Sequence, residues 1–313
     1  MPAAIQSPCR ICQYLGPHRT VNAREMMFGT REPFLYFECG RCGSVQISAV
    51  PLDLGRFYAN GYYSYRRARP NPLAAFVVGQ RTRYLLGLPN ILGGIVSVFR
   101  QDAAIQALSL TKPKQATRIL DVGCGVGKTL DRLAAAGFKS LCGIDPYIAH
   151  DLTTPAGVEV RKQSLEAVHD SFDLIMFHHS LEHVIDPVGQ LRLARERLSP
   201  DGRCIVRIPT PSSEAWDIYG TNWVQLDAPR HLVLPSRRGL EIAARETGFT
   251  IETMIDDSTD FQFAGSERYV RDIPLDAPAS HLPIDRRQRA EYRRRARALN
   301  GRNRGDQTVF ILR

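Results

Sequence analysis

The sequence predicts a doubly wound, mostly parallel α/β sheet of seven strands, preceded by a small four-cysteine module. Three observations carry this expectation. From Arg118 onward, short apolar runs alternate with amphipathic stretches, the pattern of strands joined by covering helices. The first such run ends in a glycine-rich turn, DVGCGVGKT, over residues 121–129. Four of the seven cysteines fall in two C-x-x-C pairs before residue 43.

The strands are read in order. RILDVG is a buried strand, and KTLDRLAAAG is the helix after it, closed by Gly137. SLCGID, VEVR, FDLIMFHH and GRCIVRIP are the next four strands. DPVGQLRLARERLSPDG spaces its apolar residues for one helix face, and SRRGLEIAARETG is a helix with Ser236 as N-cap and Gly248 at its end. FTIETMID and QTVFILR complete the seven. The expected units are a cysteine module over 1–50, a linker and helical bridge over 51–114, and the main domain over 115–313. In the bridge, RFYANGYYSYRRARPNP reads as linker. LPNILGGIVSVF is the most apolar stretch, yet too short to span a bilayer, and reads as core or a substrate lid. No signal pattern opens the chain, so a cytoplasmic protein without a membrane span is expected.

The formal charge is +9, but residues 286–304 hold nine Arg against Glu291, a local +8 that leaves about +1 elsewhere. DRRQRAEYRRRARALNG reads as a helix capped by Asp285, with Tyr292, Ala296 and Leu299 as its apolar stripe. Its guanidiniums suit phosphate oxygens, on a phosphate-bearing small acceptor or, as second choice, on RNA. The alternative is a solvated face.

The glycine turn narrows the ligand class. A phosphate loop would need glycine at 122, where Val122 stands, and fails on spacing; a dinucleotide fingerprint would need it at 128, where Lys128 stands, which weakens that reading and leaves it open. What remains is Gly123, Gly125 and Gly127, with Asp121 just inside the turn and Asp145 at the end of the second strand, 18 residues after Gly127. Two carboxylates suit a cationic nucleoside without phosphates.

ILDVGCGVGKTL, GIDP, FDLIMFHHSLEHVIDP and LSPDGRCIVRIPT resemble, in order and spacing, the motifs of class I S-adenosylmethionine-dependent methyltransferases, over roughly residues 115–313. The resemblance implies a Rossmann-like methyltransferase fold. It implies cofactor contacts from Asp121, Gly123, Cys124, Gly125 and Gly127 around the methionine side, Asp145 on the ribose, Pro146 and Leu165 beside the adenine, and His178 at the end of the fourth strand. Gln163 and Ser164 stand where this fold often places an acid for the adenine amino group.

Cys9, Cys12, Cys39 and Cys42 form two knuckles that can surround a structural Zn2+, with 26 residues between the pairs and no open coordination position. Redox pairs or buried thiols are the alternatives. For the chemistry, the expected base is His231, in a W-x-x-L-D-x-P-R-H segment similar to one in related methyltransferases, with His179 second. Glu182 and His183 resemble part of a metal-binding E-x-x-E-H stretch of ubiquinone-pathway O-methyltransferases. His179 replaces its first acid, so a divalent metal there stays an alternative, and the first expectation is a structural role at the start of a helix. The expected function is O-methylation of a small molecule or sugar precursor. RNA methylation is the alternative, and a non-catalytic protein of the same fold is the third.

Overall fold

The computed structural model describes residues 7–58, 71–88, 90–97 and 102–313. Most of the tyrosine- and arginine-rich linker therefore lies outside the described residues. Three strands open the chain: β1 (Arg19–Arg24), β2 (Pro33–Glu38) and β3 (Val45–Ile47). Helices α1 (Pro72–Leu85), α2 (Ile91–Ser97) and α3 (Ala103–Ser109) follow. The main domain then runs β4 (Ile119–Val122), α4 (Lys128–Ala135), β5 (Leu141–Ile144), β6 (Leu152–Thr153), β7 (Glu159–Arg161), β8 (Phe172–His178), α5 (Pro187–Arg197) and β9 (Leu198–Pro209). It ends with α6 (Glu214–Tyr219), β10 (Val233–Leu234), α7 (Arg237–Glu246), β11 (Ile251–Asp256), α8 (Phe261–Val270), α9 (Arg286–Asn300) and β12 (Gln307–Leu312).

The large sheet has the order β11-β12-β9-β8-β4-β5-β7-β6. β5, β4, β8 and β9 run parallel with β7, while β12 is antiparallel to both of its neighbours. The seven expected strands are present, and the eighth is β6, a two-residue antiparallel edge on β7. All four residues of β4 are buried, as a strand covered on both faces requires. Alternation splits its side chains: Leu120 and Val122 join one core, and Ile119 joins the other. The strand order reverses at β4, so its carboxyl end opens the crevice where such sheets take ligands.

Local signals set the helix ends. Ser236 caps α7 by accepting from Gly239 N at 2.8 Å, and Asp285 caps α9 by accepting from Gln288 N at 2.7 Å. Ala296 and Leu299 of α9 pack with Phe263 of α8, leaving Arg286, Arg287, Arg293 and Arg297 exposed.

The N-terminal strands form a second sheet, β1-β2-β3-β10, which recruits β10 from the far end of the main domain. Val45 pairs with Leu234 and Gln46 with Val233. Cys9, Ile11, Tyr36 and Ile47 belong to the same buried cluster as Leu120, Ile175 and Val206 of the large sheet. The cysteine module thus shares its core with the main domain. Among the described residues, no helix is long and apolar enough to cross a membrane.

Candidate active site

The turn after β4 folds tightly because glycine permits it. Gly123 has φ +74°, and a Cβ there would lie 2.4 Å from the Cβ of Ser180. Ser180 Oγ in turn donates to the carbonyl of Val122 at 2.6 Å, tying the turn to the end of β8. Gly127, with φ +79°, begins α4, and a Cβ would strike Thr154 and Val160, so its role is packing. It lines neither cavity beside the turn.

Two cavities flank the turn. One, of about 720 Å³, is lined by Gly123, Asp145, Pro146, Tyr147 and the Gln163–Glu166 segment, which includes Leu165. The other, of about 580 Å³, is lined by Asp121, Gly123, Cys124, Gly125 and His178, with Arg81 and Asp102 from the helical bridge. Asp145 is held in place: Oδ2 accepts from Gly125 N at 2.9 Å and Oδ1 from Tyr147 N at 2.8 Å. Burial pushes its carboxyl up, and these backbone donors partly offset the rise. Asp121 meets no hydrogen-bond donor among the described residues and is 3% exposed. Burial, and then the charge of Asp145, push it up to about 8.

A third cavity, of about 290 Å³, lies beyond β8, lined by His179, Glu182, His183, Gln225, Asp227 and His231 with Met27, Val224, Phe261 and Leu275. His179 and Asp227 adopt the left-handed region, φ +53° and +38°, which non-glycine residues enter at a cost of about 1–3 kcal/mol each. The surrounding bonds hold them there. Arg207 donates to His179 Nε2 at 2.5 Å, so the proton of His179 sits on Nδ1, facing Glu182 Oε1 at 3.2 Å. Nδ1–H of His231 donates to the carbonyl of Gln225 at 2.7 Å, and Nδ1–H of His183 to that of Arg230 at 2.9 Å. The Nε2 atoms of both rings are therefore lone pairs. His231 Nε2 lies 4.0 Å from Glu182 Oε1 and 3.9 Å from Asp227 Oδ2.

Burial would push Glu182 up, but the hydrogen bond from His179, with the imidazoles of His183 and His231 beside it, holds its carboxyl low, at about 2. Burial, then His231, lowers His183 to about 4, and burial, then Arg207, holds His178 well below the usual range. Glu182, His183 and His231 bring one potential ligand atom each within 4.8 Å of one another.

The N-terminal module forms the back of this cavity. Glu25, fully buried, accepts from Arg230 at 3.0 Å, while Arg230 also pairs with Asp227 at 2.5 Å. Tyr36 Oη donates to the carbonyl of His231 at 2.8 Å. Glu25, Tyr36 and Arg207 carry no local sequence signal, because their partners are supplied by distant strands. At the module's own centre, Cys9, Cys12, Cys39 and Cys42 place their sulfurs within 4.8 Å of one another. Cys9 and Cys42 lie 3.6 Å apart, as do Cys12 and Cys39. Amides of Ile11 and Arg41 point at the sulfurs of Cys9 and Cys39 at 3.4 Å, and Gly43 supplies the turn with φ +75°.

Residues 99–254, close to half of the chain, match the family described as a methyltransferase domain. That stretch carries a methyltransferase domain, on the Rossmann-like sheet described above. It is similar to a ubiquinone biosynthesis O-methyltransferase of Azorhizobium caulinodans, 34% identical over 154 residues, covering 45% of this chain and 60% of that protein. A protein of the same description from Cereibacter sphaeroides is 30% identical over 135 residues, covering 39% of this chain and 54% of that one. The chain thus spans little more than half the length of these curated relatives. Among solved structures, an S-adenosylmethionine-dependent methyltransferase of Mesorhizobium loti is similar at TM-score 0.44 and 20% identity, covering 68% of this chain and 98% of that one.

Proposed function

We propose that this protein methylates a hydroxyl of a small molecule or sugar, using S-adenosylmethionine. The single observation that carries the reading is Asp121, a buried carboxylate that meets no donor among the described residues, at the mouth of a glycine turn. Such a group is stable as an anion only beside a cation, and the ammonium of the cofactor's amino-acid end supplies one. Asp145 holds the ribose hydroxyls, and Pro146 and Leu165 lie against the adenine, in the larger cavity. Gly123, Cys124, Gly125 and His178 surround the amino-acid end. S-adenosylmethionine supplies an electrophilic methyl group and leaves as S-adenosylhomocysteine.

A hydroxyl must lose its proton to accept the methyl. His231 Nε2 is the base: its lone pair faces the third cavity, and its other nitrogen is fixed on the Gln225 carbonyl. Glu182 stabilises the imidazolium that forms. His179 is engaged at both ring nitrogens, by Arg207 and Glu182, and acts as a positioning residue.

The four cysteines hold a structural zinc. A zinc–sulfur distance of about 2.3 Å in a tetrahedron sets sulfur–sulfur edges near ~3.8 Å, and the two 3.6 Å separations fit. The test is incubation with methyl-labelled S-adenosylmethionine and separate small-molecule, glycan and RNA fractions. Label in the small-molecule or glycan fraction supports the reading, and label in RNA replaces it. His231→Ala should lower turnover by about 10²–10⁴-fold with S-adenosylhomocysteine still bound; full turnover would remove His231 from the chemistry.

A further inference from the structure

Three cavities meet at one side chain. His179 lines the two that flank the glycine turn and also the third, of about 290 Å³. If the first two take the two ends of the cofactor, the third faces the methyl group and receives the acceptor. Gln225 and Gln307 add amides to its polar wall, but the two histidines and the carboxylate at its centre are one-sided in hydrogen-bonding character. His183 and His231 present lone pairs at Nε2, because both Nδ1–H groups are spent on backbone carbonyls. Glu182 Oε2 is buried and meets no donor among the described residues. These three atoms can only accept.

Charge points the same way. In this wall and behind it, four carboxylates, Glu182, Asp227, Glu25 and Asp257, stand with two guanidiniums, Arg230 on Glu25 and Asp227, and Arg207 on Asp257, a surplus of two negative charges. Neither Lys nor Arg is among the described residues lining the cavity. An anionic substituent beside the reacting oxygen would lose its hydration and meet like charge. Met27, Val224, Phe261 and Leu275 supply the apolar part of the lining. The volume stands at the lower edge of the range of about 300–1,000 Å³ for small-molecule sites, room for a single ring.

We infer that the methylated moiety is a compact, uncharged ring with at least two neighbouring hydroxyls, one donating to His231 Nε2 and the other to Glu182. The inference rests on the methyltransferase reading and adds the chemical class of the acceptor. The hydroxyl that donates to His231 loses its proton to Nε2 as its oxygen gains the methyl. Its neighbour keeps its proton and stays on the carboxylate.

The test uses the full chain with methyl-labelled S-adenosylmethionine and a total small-molecule extract, with the label located by tandem mass spectrometry. The expected product has a methoxyl beside a free hydroxyl on a ring without carboxylate or phosphate. A labelled ring that bears an ionised group, or a single oxygen, overturns the inference. Label transferred to nothing, although calorimetry shows cofactor binding, overturns the methyltransferase reading beneath it. Once the acceptor is identified, Glu182→Gln should raise its KM by about tenfold while S-adenosylhomocysteine binds within threefold of the unaltered protein; an unchanged KM removes the second hydroxyl contact. More than one metal ion per chain by elemental analysis would put a cation on these lone pairs, and would overturn the inference too.

Discussion

The proposed cofactor half and the proposed acceptor half of the site are built in opposite ways. The first is drawn mostly from residues 121–165, where a strand, a turn, a helix and a second strand place Asp121 and Asp145 by local geometry. The second is assembled across the chain: Glu25 reaches Arg230 over 205 positions, and Tyr36 reaches His231 over 195. A local unit can keep its shape when a distant element is lost. A dispersed one cannot, because each buried polar group depends on a partner delivered by another part of the fold.

Removing the proposed zinc ligands should therefore separate the halves most sharply. Structural zinc in small domains contributes on the order of 10 kcal/mol. Cys39→Ser should expose the amides of β1–β3 and of residues 225–236 to hydrogen exchange, with S-adenosylhomocysteine affinity changed by less than about tenfold. Equal loss in both halves would break the comparison. Next in size is Glu25→Ala, which leaves Arg230 buried with one carboxylate fewer; breaking a buried ion pair costs about 3–5 kcal/mol, to be read from the denaturant midpoint.

Asp121→Asn acts on the other half. Loss of a charged hydrogen bond of about 1.5–3 kcal/mol should weaken S-adenosylhomocysteine binding by roughly 10–100-fold without altering exchange at 225–236. The same residue sets a pH dependence. Its carboxyl, raised to about 8, binds a proton more tightly in the folded chain than in the unfolded one. Its contribution to the stability of the unliganded protein is therefore fully present below pH ~4 and lost as the pH rises through about 8. A cationic ligand needs the ionised form, so affinity should climb by up to about tenfold per pH unit below 8 and level above it. Calorimetry at pH 7 in buffers of different ionisation enthalpy should show proton release on binding. The smallest effect is expected from Ser236→Ala, which removes the cap of α7 and should lower stability by about 0.5–2 kcal/mol in thermal unfolding.

The alternation of apolar runs after Arg118 made the parallel sheet legible, since strands buried on both faces must be continuously apolar. The edge strand β6 escaped notice because two residues carry no period. Gly127 was grouped with the ligand-facing glycines, yet its φ serves the start of α4 and contact with Thr154 and Val160, a distinction that spacing cannot make. Glu182 was expected first to serve structure, with metal binding as the alternative; it stands among three histidines with an oxygen that meets no donor among the described residues.

By itself the sequence determined the sheet, the glycine turn with its two carboxylates, and the four cysteines that close on one centre. These depend on neighbours close in the chain, or on one residue type repeated at fixed spacing. Only the tertiary structure decided which nitrogen of His179, His183 and His231 carries a proton, that Arg207 occupies His179, and that the cysteine module backs the proposed acceptor cavity. Those facts depend on carbonyls and charges brought together by β3 and β10, and no local pattern encodes a partner some two hundred residues away.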